Sequence, residues 1–352
     1  MSLYKEELVA KHAVLGKMSI FSFVGDCFKK MRNVSLDWLR GIAIFVVVWS
    51  HIALGPLLDE IVNPVVLGIF FIISGIFNKC MPIKELVRKK AKTLLLPWVL
   101  FVALGYMYHL VFAIFIDHSN FRLTMVIDDL LIGNDYEANI PCWFFISLFE
   151  VMLLYAICEK LLPSIFRRMT VLCILSILGN IALVFGLNGV YFAKTLFYVF
   201  LFGIGELMRN YFLINISQPA NNRAKLKCFI VLVSIFTVIL LGYIKIRYID
   251  SQFIDYVIGT VMAVLVTNMV IGIGFNSSNQ IKWYVSVPAY LGRNSLVILG
   301  FHILAVDFVW RVLYPYFHTP GFWLSFFYAV ITVVLCIPVI VVYNQYVSKF
   351  LR

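Results

Sequence analysis

Ten stretches of mostly apolar residues run through this chain, at roughly 36–56, 61–80, 93–116, 142–160, 169–187, 190–209, 228–248, 253–275, 288–310 and 322–345. A helix needs about 20 such residues to cross the hydrocarbon of a bilayer, so each stretch reads as a transmembrane span. Composition agrees, with 62% of the 352 residues hydrophobic and 13% charged. An average soluble domain is about half apolar and about a quarter charged. A soluble fold of this length has no way to hide so much apolar surface, and lipid is the solvent for most of it. The expected fold is all-α, a polytopic bundle of about ten spans in one unit.

The net charge of +11 is distributed as membrane topology requires. With the N-terminus inside, the cytoplasmic segments collect Lys29, Lys30, Arg32, the block from Lys79 to Lys92, Arg167, Arg168, Arg209, Arg223, Lys225, Lys227, Lys282, Lys349 and Arg352. The opposite side holds Asp59, Glu60, Asp117, Asp128, Asp129, Asp135 and Glu137, and few basic residues. Both termini are therefore expected in the cytoplasm. Short basic blocks between apolar runs do not make an interleaved basic-aromatic groove, so nucleic acid is excluded as a partner. The seven cysteines form no Cys-x-x-Cys pair, which points to neither a zinc site nor a disulfide framework. Residues 1–32 lack the clean apolar core and cleavage site of a signal peptide and read as a cytoplasmic arm before a membrane domain at 33–352. Met31 resembles a natural start.

The first span carries ionisable residues: Asp37, Arg40 and, eleven positions on, His51. Eleven steps of about 100° make three turns plus about 20°, so Arg40 and His51 share a helical face, about 16 Å apart along the axis. Asp37 lies one turn before Arg40 on the same stripe. Charged groups within a span are costly and face a cavity or a partner. Two bland readings stand beside this: Arg40 snorkels to the interface with Asp37 as counter-ion, and His51 is a hydrogen-bonded neutral histidine at the outer end. An imidazole, with an ordinary pKa of about 6.5, is suited to general-base work near neutral pH.

With these residues the chain resembles the acyltransferase-3 family of integral-membrane O-acyltransferases, over about residues 33–347. Asp37, Arg40, Gly41 and His51 match its Asp-x-x-Arg-Gly and Arg-x10-His in the first helix, and Phe70-Phe71-Ile72-Ile73-Ser74-Gly75 its Phe-x-x-Ser-Gly in the second. A basic loop, Arg88-Lys89-Lys90-Ala91-Lys92, precedes Leu95-Leu96-Pro97; the family's arginine pair falls on Lys89 and Lys92 when aligned on Leu-x-Pro. Trp143-Phe144 through Leu148-Phe149 matches the fourth-helix pattern, and Leu291-Gly292-Arg293-Asn294-Ser295-Leu296 with His302 the last. Within the family the chain looks closest to stand-alone members of the fucose 4-O-acetylase-like kind, without a following SGNH domain.

The resemblance implies transfer of an acyl group, acetyl from acetyl-CoA above all, to a hydroxyl of a cell-surface or exported polysaccharide at the inner membrane. His51 is then the expected base, Arg40 the group that anchors the donor, and Asp37 its support. Arg88, Lys89, Lys92 and Arg293 are candidates for CoA phosphates, although positive-inside topology alone also accounts for them. Ser74, Trp143, Glu150, Ser295 and His302 are candidate cavity residues. Ser74 with Gly75 equally fits close helix packing, His302 equally fits a helix tie, and Glu150 equally fits a structural ion pair. No Gly-x-Ser-x-Gly elbow supports a serine nucleophile, and no metal is expected. The partners implied are the acyl-CoA donor, a carbohydrate acceptor and membrane lipid. A small-molecule transporter or flippase explains the spans equally well but not the motifs, and no pair of broken helices in inverted repeat is evident.

Overall fold

A computed structural model describes residues 34–53, 56–115, 139–185, 191–216, 252–273, 283–313, 316 and 321–351, with Ser234, Thr237 and Leu241. The arm at 1–32, most of the acidic external segment at 117–141 and nearly all of the expected span at 228–248 lie outside the described residues. Among the described residues the chain is helical and has no strand. The helices are α1 (Val34–Ser50), α2 (Pro56–Ile76), α3 (Ile83–Lys90), α4 (Leu96–Phe115), α5 (Trp143–Leu161), α6 (Ile165–Val184), α7 (Tyr191–Ile216), α8 (Gln252–Ile273), α9 (Trp283–Arg293), α10 (Ser295–Leu313), α11 (Phe322–Val342) and the short α12 (Ser348–Leu351).

Five helical segments among the described residues are long and apolar enough to cross a membrane: Ile83–Phe115, Ile140–Leu161, Ile165–Val184, Ser295–Leu313 and Phe322–Val347. Burial on α6 shows the solvent. Ile174, Ile177, Leu178 and Ile181 recur at helical spacing and are exposed, while Asn180 and Gly179 face inward and are buried. A water-soluble protein turns such a stripe inward. This is a membrane protein.

Two expectations from the sequence change in detail. The basic segment read as a loop is helical: α3 begins after Pro82, and a π-helical turn at Ala91–Leu95 carries it into α4. Proline 97 has no N–H to donate. Just before it the helix widens, with the Leu96 N–H reaching back to the Ala91 carbonyl. The expected continuous span at 288–310 is broken at Asn294. There the backbone N–H of Asn294 donates to Leu291 O at 3.1 Å, and its side-chain amide takes Tyr290 O at 2.9 Å. Asn344, in a second π-helical turn at Tyr343–Val347, donates to the Asn294 side-chain oxygen at 2.8 Å. Hydrogen bonds to both Asn294 backbone and side chain hold the break, and it places Arg293 and Ser295 on different helices.

The helix contacts that position the site fall on the motif glycines. Gly41 of α1 lies against the Pro288 backbone of α9, and Gly292 of α9 against the Asp37 carbonyl of α1. Without side chains at these points the two backbones touch, the closest approach helices can make. Pro288 inside α9 leaves the Tyr284 carbonyl without its usual i+4 donor, and the Trp38 indole N–H of α1 fills it at 3.0 Å. Gly75 of α2 and Gly205 of α7 make a second such contact. At the other end, Asn139 donates from its side-chain amide to Phe101 O (3.0 Å) on α4 and Gly300 O (2.9 Å) on α10. That clamp fixes the entry of the 3₁₀ turn Ile140–Cys142 and so the start of α5 at Trp143.

Candidate active site

Helix α1 ends at Ser50, whose hydroxyl donates to Val47 O at 2.9 Å. The His51 N–H still reaches Val47 O at 3.4 Å, and Ile52 N–H shortens to Trp49 O at 3.0 Å. Helical geometry therefore carries on as far as His51, which keeps it on the Arg40 stripe and leaves its ring exposed. The ring borders a cavity of about 290 Å³ whose wall includes Ser50, His51, Pro141, Trp143, Phe144 and Leu299. The lining is mostly apolar, with the imidazole, a hydroxyl and the indole as its polar groups. Trp143 is held by its neighbours: Lys194 Nζ stands 4.7 Å from its ring centre, and Tyr198 lies nearly parallel to it at 6.1 Å. Behind His51 sits His302, fully buried on α10, with ring centres 5.1 Å apart.

The other end of α1 gathers cations. Arg40 is half-buried, its guanidinium 5.1 Å from the centre of the Phe77 ring. Asp37 approaches Arg293 Nη1 at 4.0 Å and also lies within electrostatic reach of Arg40. The glycine contact explains that geometry, because Asp37 and Arg293 flank Gly41 and Gly292 where α1 and α9 touch. Of the segment's basic residues, Lys90 is the half-buried one within electrostatic reach of Arg40. Arg88, Lys89 and Lys92 are exposed, and Lys89 spends its charge on Glu85 at 3.8 Å. Arg40 and Lys90 thus form a pair of neighbouring cations, whose field favours negative charge. The sequence reading passed over Lys90; the signal for it was the helical phase of α3 rather than spacing from Pro97.

Of the remaining expected cavity residues, Ser74, Glu150 and Ser295 do not line this cavity. Ser74 donates its hydroxyl to Phe70 O at 2.7 Å within α2, and Gly75 beside it makes the packing contact with α7. Glu150 accepts from Thr195 at 2.6 Å, and Thr195 lies 3.2 Å from Ser147, a polar tie between α5 and α7. Ser295 is buried at the start of α10. Trp143 borders the cavity, and His302 lies behind it against His51.

Two polar networks escaped the sequence reading. Glu206 accepts from Tyr155 and pairs with Arg209 at 3.0 Å, and Arg209 also donates to the Asn78 carbonyl. Arg168, buried, pairs with Glu159 at 3.6 Å. At the other end of the bundle, Asp307 accepts from Tyr108 (2.6 Å) and Arg311 (2.7 Å), joining α4 to α10. Glu206 with Arg209 and Asp307 with Arg311 had a signal, as acid and base three or four residues apart within an apolar helix; Arg168 and Glu159, on different helices, had none. Among the described residues no cluster of His, Cys, Asp and Glu suited to a metal ion occurs.

Helix α1 thus carries a histidine at a cavity and, farther along, a cationic cluster. The sequence profile of the acyltransferase domain family matches residues 33–341, nearly the whole chain, and the protein belongs to that acyltransferase-3 family. No curated protein and no solved structure matches the chain.

Proposed function

We propose that this membrane acyltransferase moves an acetyl group from acetyl-CoA to a hydroxyl of a cell-surface or exported glycan. One observation carries the reading: α1 holds the Arg40 cluster at one end and His51, opening into a cavity, at the other. About 16 Å of helix separates the two, so a compact substrate cannot touch both and an extended one can. Phosphates at Arg40, Lys90 and Arg293, with a pantetheine arm running toward the cavity, satisfy that length.

The chemistry then follows from the residues present. His51 takes the proton of the acceptor hydroxyl, and the oxygen attacks the thioester carbonyl. A C–O bond forms, the C–S bond breaks, and the sulfur leaves as thiolate to recover the proton from the imidazolium, giving an ester and CoA. Trp143 offers a flat apolar wall for a sugar ring, and the apolar lining excludes water that would hydrolyse the thioester. Asp37, shared between Arg40 and Arg293, sets their positions. We place this domain at residues 33–352 in the inner membrane, with ten spans, both termini cytoplasmic and residues 1–32 a cytoplasmic arm.

Purified protein incubated with acetyl-CoA and candidate glycans tests the reading. Glycan-dependent release of CoA with acetyl recovered as sugar ester supports it. No transfer to any exported glycan, in folded protein, refutes it.

A further inference from the structure

His302 has a buried ring nitrogen that helix packing does not explain. It lies about 10 Å along α10 from Ser295, deep in the bundle. Its Nδ1 stands 3.0 Å from Ile298 O and 2.9 Å from Leu299 O. Carbonyl oxygens only accept, so Nδ1 carries the proton and Nε2 presents a lone pair. That Nε2 is buried and has no hydrogen-bond partner among the described residues. A buried polar atom left unpaired costs about 1–3 kcal/mol, and a phenylalanine would fill the same space without that cost. A histidine whose role was to tie helices would use this nitrogen on a neighbouring helix.

The neighbour it does have is His51, at 5.1 Å between ring centres with the planes tilted by 50°. His51 is exposed at the end of α1 and needs a partner to hold its ring and choose its tautomer. The usual partner of a catalytic imidazole is a carboxylate. The six acids whose side chains are described are engaged elsewhere: Asp37 with Arg293, Glu85 with Lys89, Glu150 with Thr195, Glu159 with Arg168, Glu206 with Arg209 and Asp307 with Arg311.

We propose that His302 is a positioning residue for His51: a turn of the His51 ring brings one of its N–H groups onto the open Nε2, which leaves the other His51 nitrogen bare toward the cavity. This rests on the reading of His51 as the base. When His51 takes the acceptor proton, the bond to His302 stays in place and its dipole stabilises the imidazolium. No second proton moves. A neutral acceptor stabilises that charge less than a carboxylate does, so its removal costs less than the roughly 10⁴-fold seen on disabling a triad aspartate.

The test uses the full chain in lipid nanodiscs, with His302→Phe, which keeps volume and removes the lone pair, and His302→Gln, which restores an acceptor. His302→Phe should lower kcat by about 10–100-fold, leave the acetyl-CoA KM within about twofold and preserve the melting temperature. His302→Gln should recover part of the loss. The protein carries six histidines; ¹⁵N spectra of histidine-labelled protein should show His51 in one neutral tautomer, and a mixture in His302→Phe. If His302→Phe keeps kcat within about threefold, or the His51 tautomer is unchanged, the proposal is wrong. Parallel loss of activity and melting temperature in both variants also overturns it, in favour of a packing role. The spectra need no turnover, so a wild type that acylates nothing would defeat the proposed function while still deciding whether His302 sets His51.

Discussion

Adding one methyl group at Gly41 should unseat the donor end of the site. A Cβ there meets the Pro288 carbonyl, with Pro288 Cα at 2.9 Å, and one at Gly292 meets the Asp37 carbonyl, with Gly41 N at 2.8 Å. Carbon contacts are comfortable at about 3.5–4.0 Å and the carbonyl oxygens stand nearer still, so α1 and α9 must part by more than about 1 Å, a gap that forfeits at least a quarter to a half of each dispersion contact along the seam. The obstacle is backbone and cannot swing away, which puts the cost at about 3 kcal/mol, the upper part of the range for overpacking. On an isolated helix the same change would gain about 1 kcal/mol, since Ala is the better helix former. The sign of the effect therefore separates the two accounts.

The assay is thermal unfolding in one detergent, with melting temperatures followed by tryptophan fluorescence. At about 2 °C per kcal/mol for a chain of this size, Gly41→Ala and Gly292→Ala should each melt about 6 °C lower. Gly203→Ala is the control, because its Cβ meets only the flexible ends of Leu172 (2.8 Å) and Met169 (3.1 Å); it should shift by about 2 °C or less. The double variant should lose little more than either single one, since both methyls need the same gap. A Gly41→Ala protein as stable as the parent, or a fully additive double variant, refutes the backbone contact.

Four further outcomes are expected. His51→Ala should abolish measurable transfer, general-base loss being worth about 10²–10⁴-fold, while binding of a non-hydrolysable acetyl-CoA analogue stays within a few-fold; retained turnover would make the stripe structural. Lys90→Ala should raise the acetyl-CoA KM more than Lys89→Ala or Lys92→Ala does, because it is half-buried near Arg40 while the other two are exposed, and equal effects would return that segment to a topology signal. Trp38→Phe should cost about 1 kcal/mol by removing the indole hydrogen bond to the Tyr284 carbonyl, read as a melting shift of about 2 °C. Cysteines introduced at Asn134 and Asn221 should be labelled from opposite sides of the membrane, and labelling from one side ends the ten-span topology.

Helix identity was readable because hydropathy is a sum over some twenty residues and survives local irregularity. The expected edges 142–160 and 253–275 fall close to Trp143–Leu161 and Gln252–Ile273. The break at Asn294 was hidden for the opposite reason. Apolar runs flank Arg293-Asn294-Ser295 on both sides, so hydropathy summed over some twenty residues carries across it, and what ends α9 is hydrogen bonding by one asparagine to Tyr290 and Asn344, a partner fifty residues away. Lys90 was hidden among three basic neighbours because only the phase of α3 and its π-helical turn decides which of them turns toward Arg40. The pairing of Asp37 with Arg293 joins residues 256 apart, and no periodicity within α1 encodes it.

The motifs that mark the family do two kinds of work here, and the structure separates them. Gly41, Gly75, Gly292 and Asn294 set how closely helices meet and where one ends. Arg40, His51, Trp143, Arg293 and His302 stand at the two ends of the candidate site. In α1 and in α9 a residue of one kind directly neighbours one of the other: Arg40 with Gly41, and Gly292 with Arg293. Packing therefore fixes the site, because the side chain next to a backbone contact has the least freedom to move. It also means that lost activity in a motif variant does not by itself identify a catalytic group, since a displaced helix silences the neighbouring arginine as surely as removing it. The discriminating quantity is the melting temperature measured beside kcat. Glycine variants should lose both together, whereas His51→Ala should lose turnover and keep the fold.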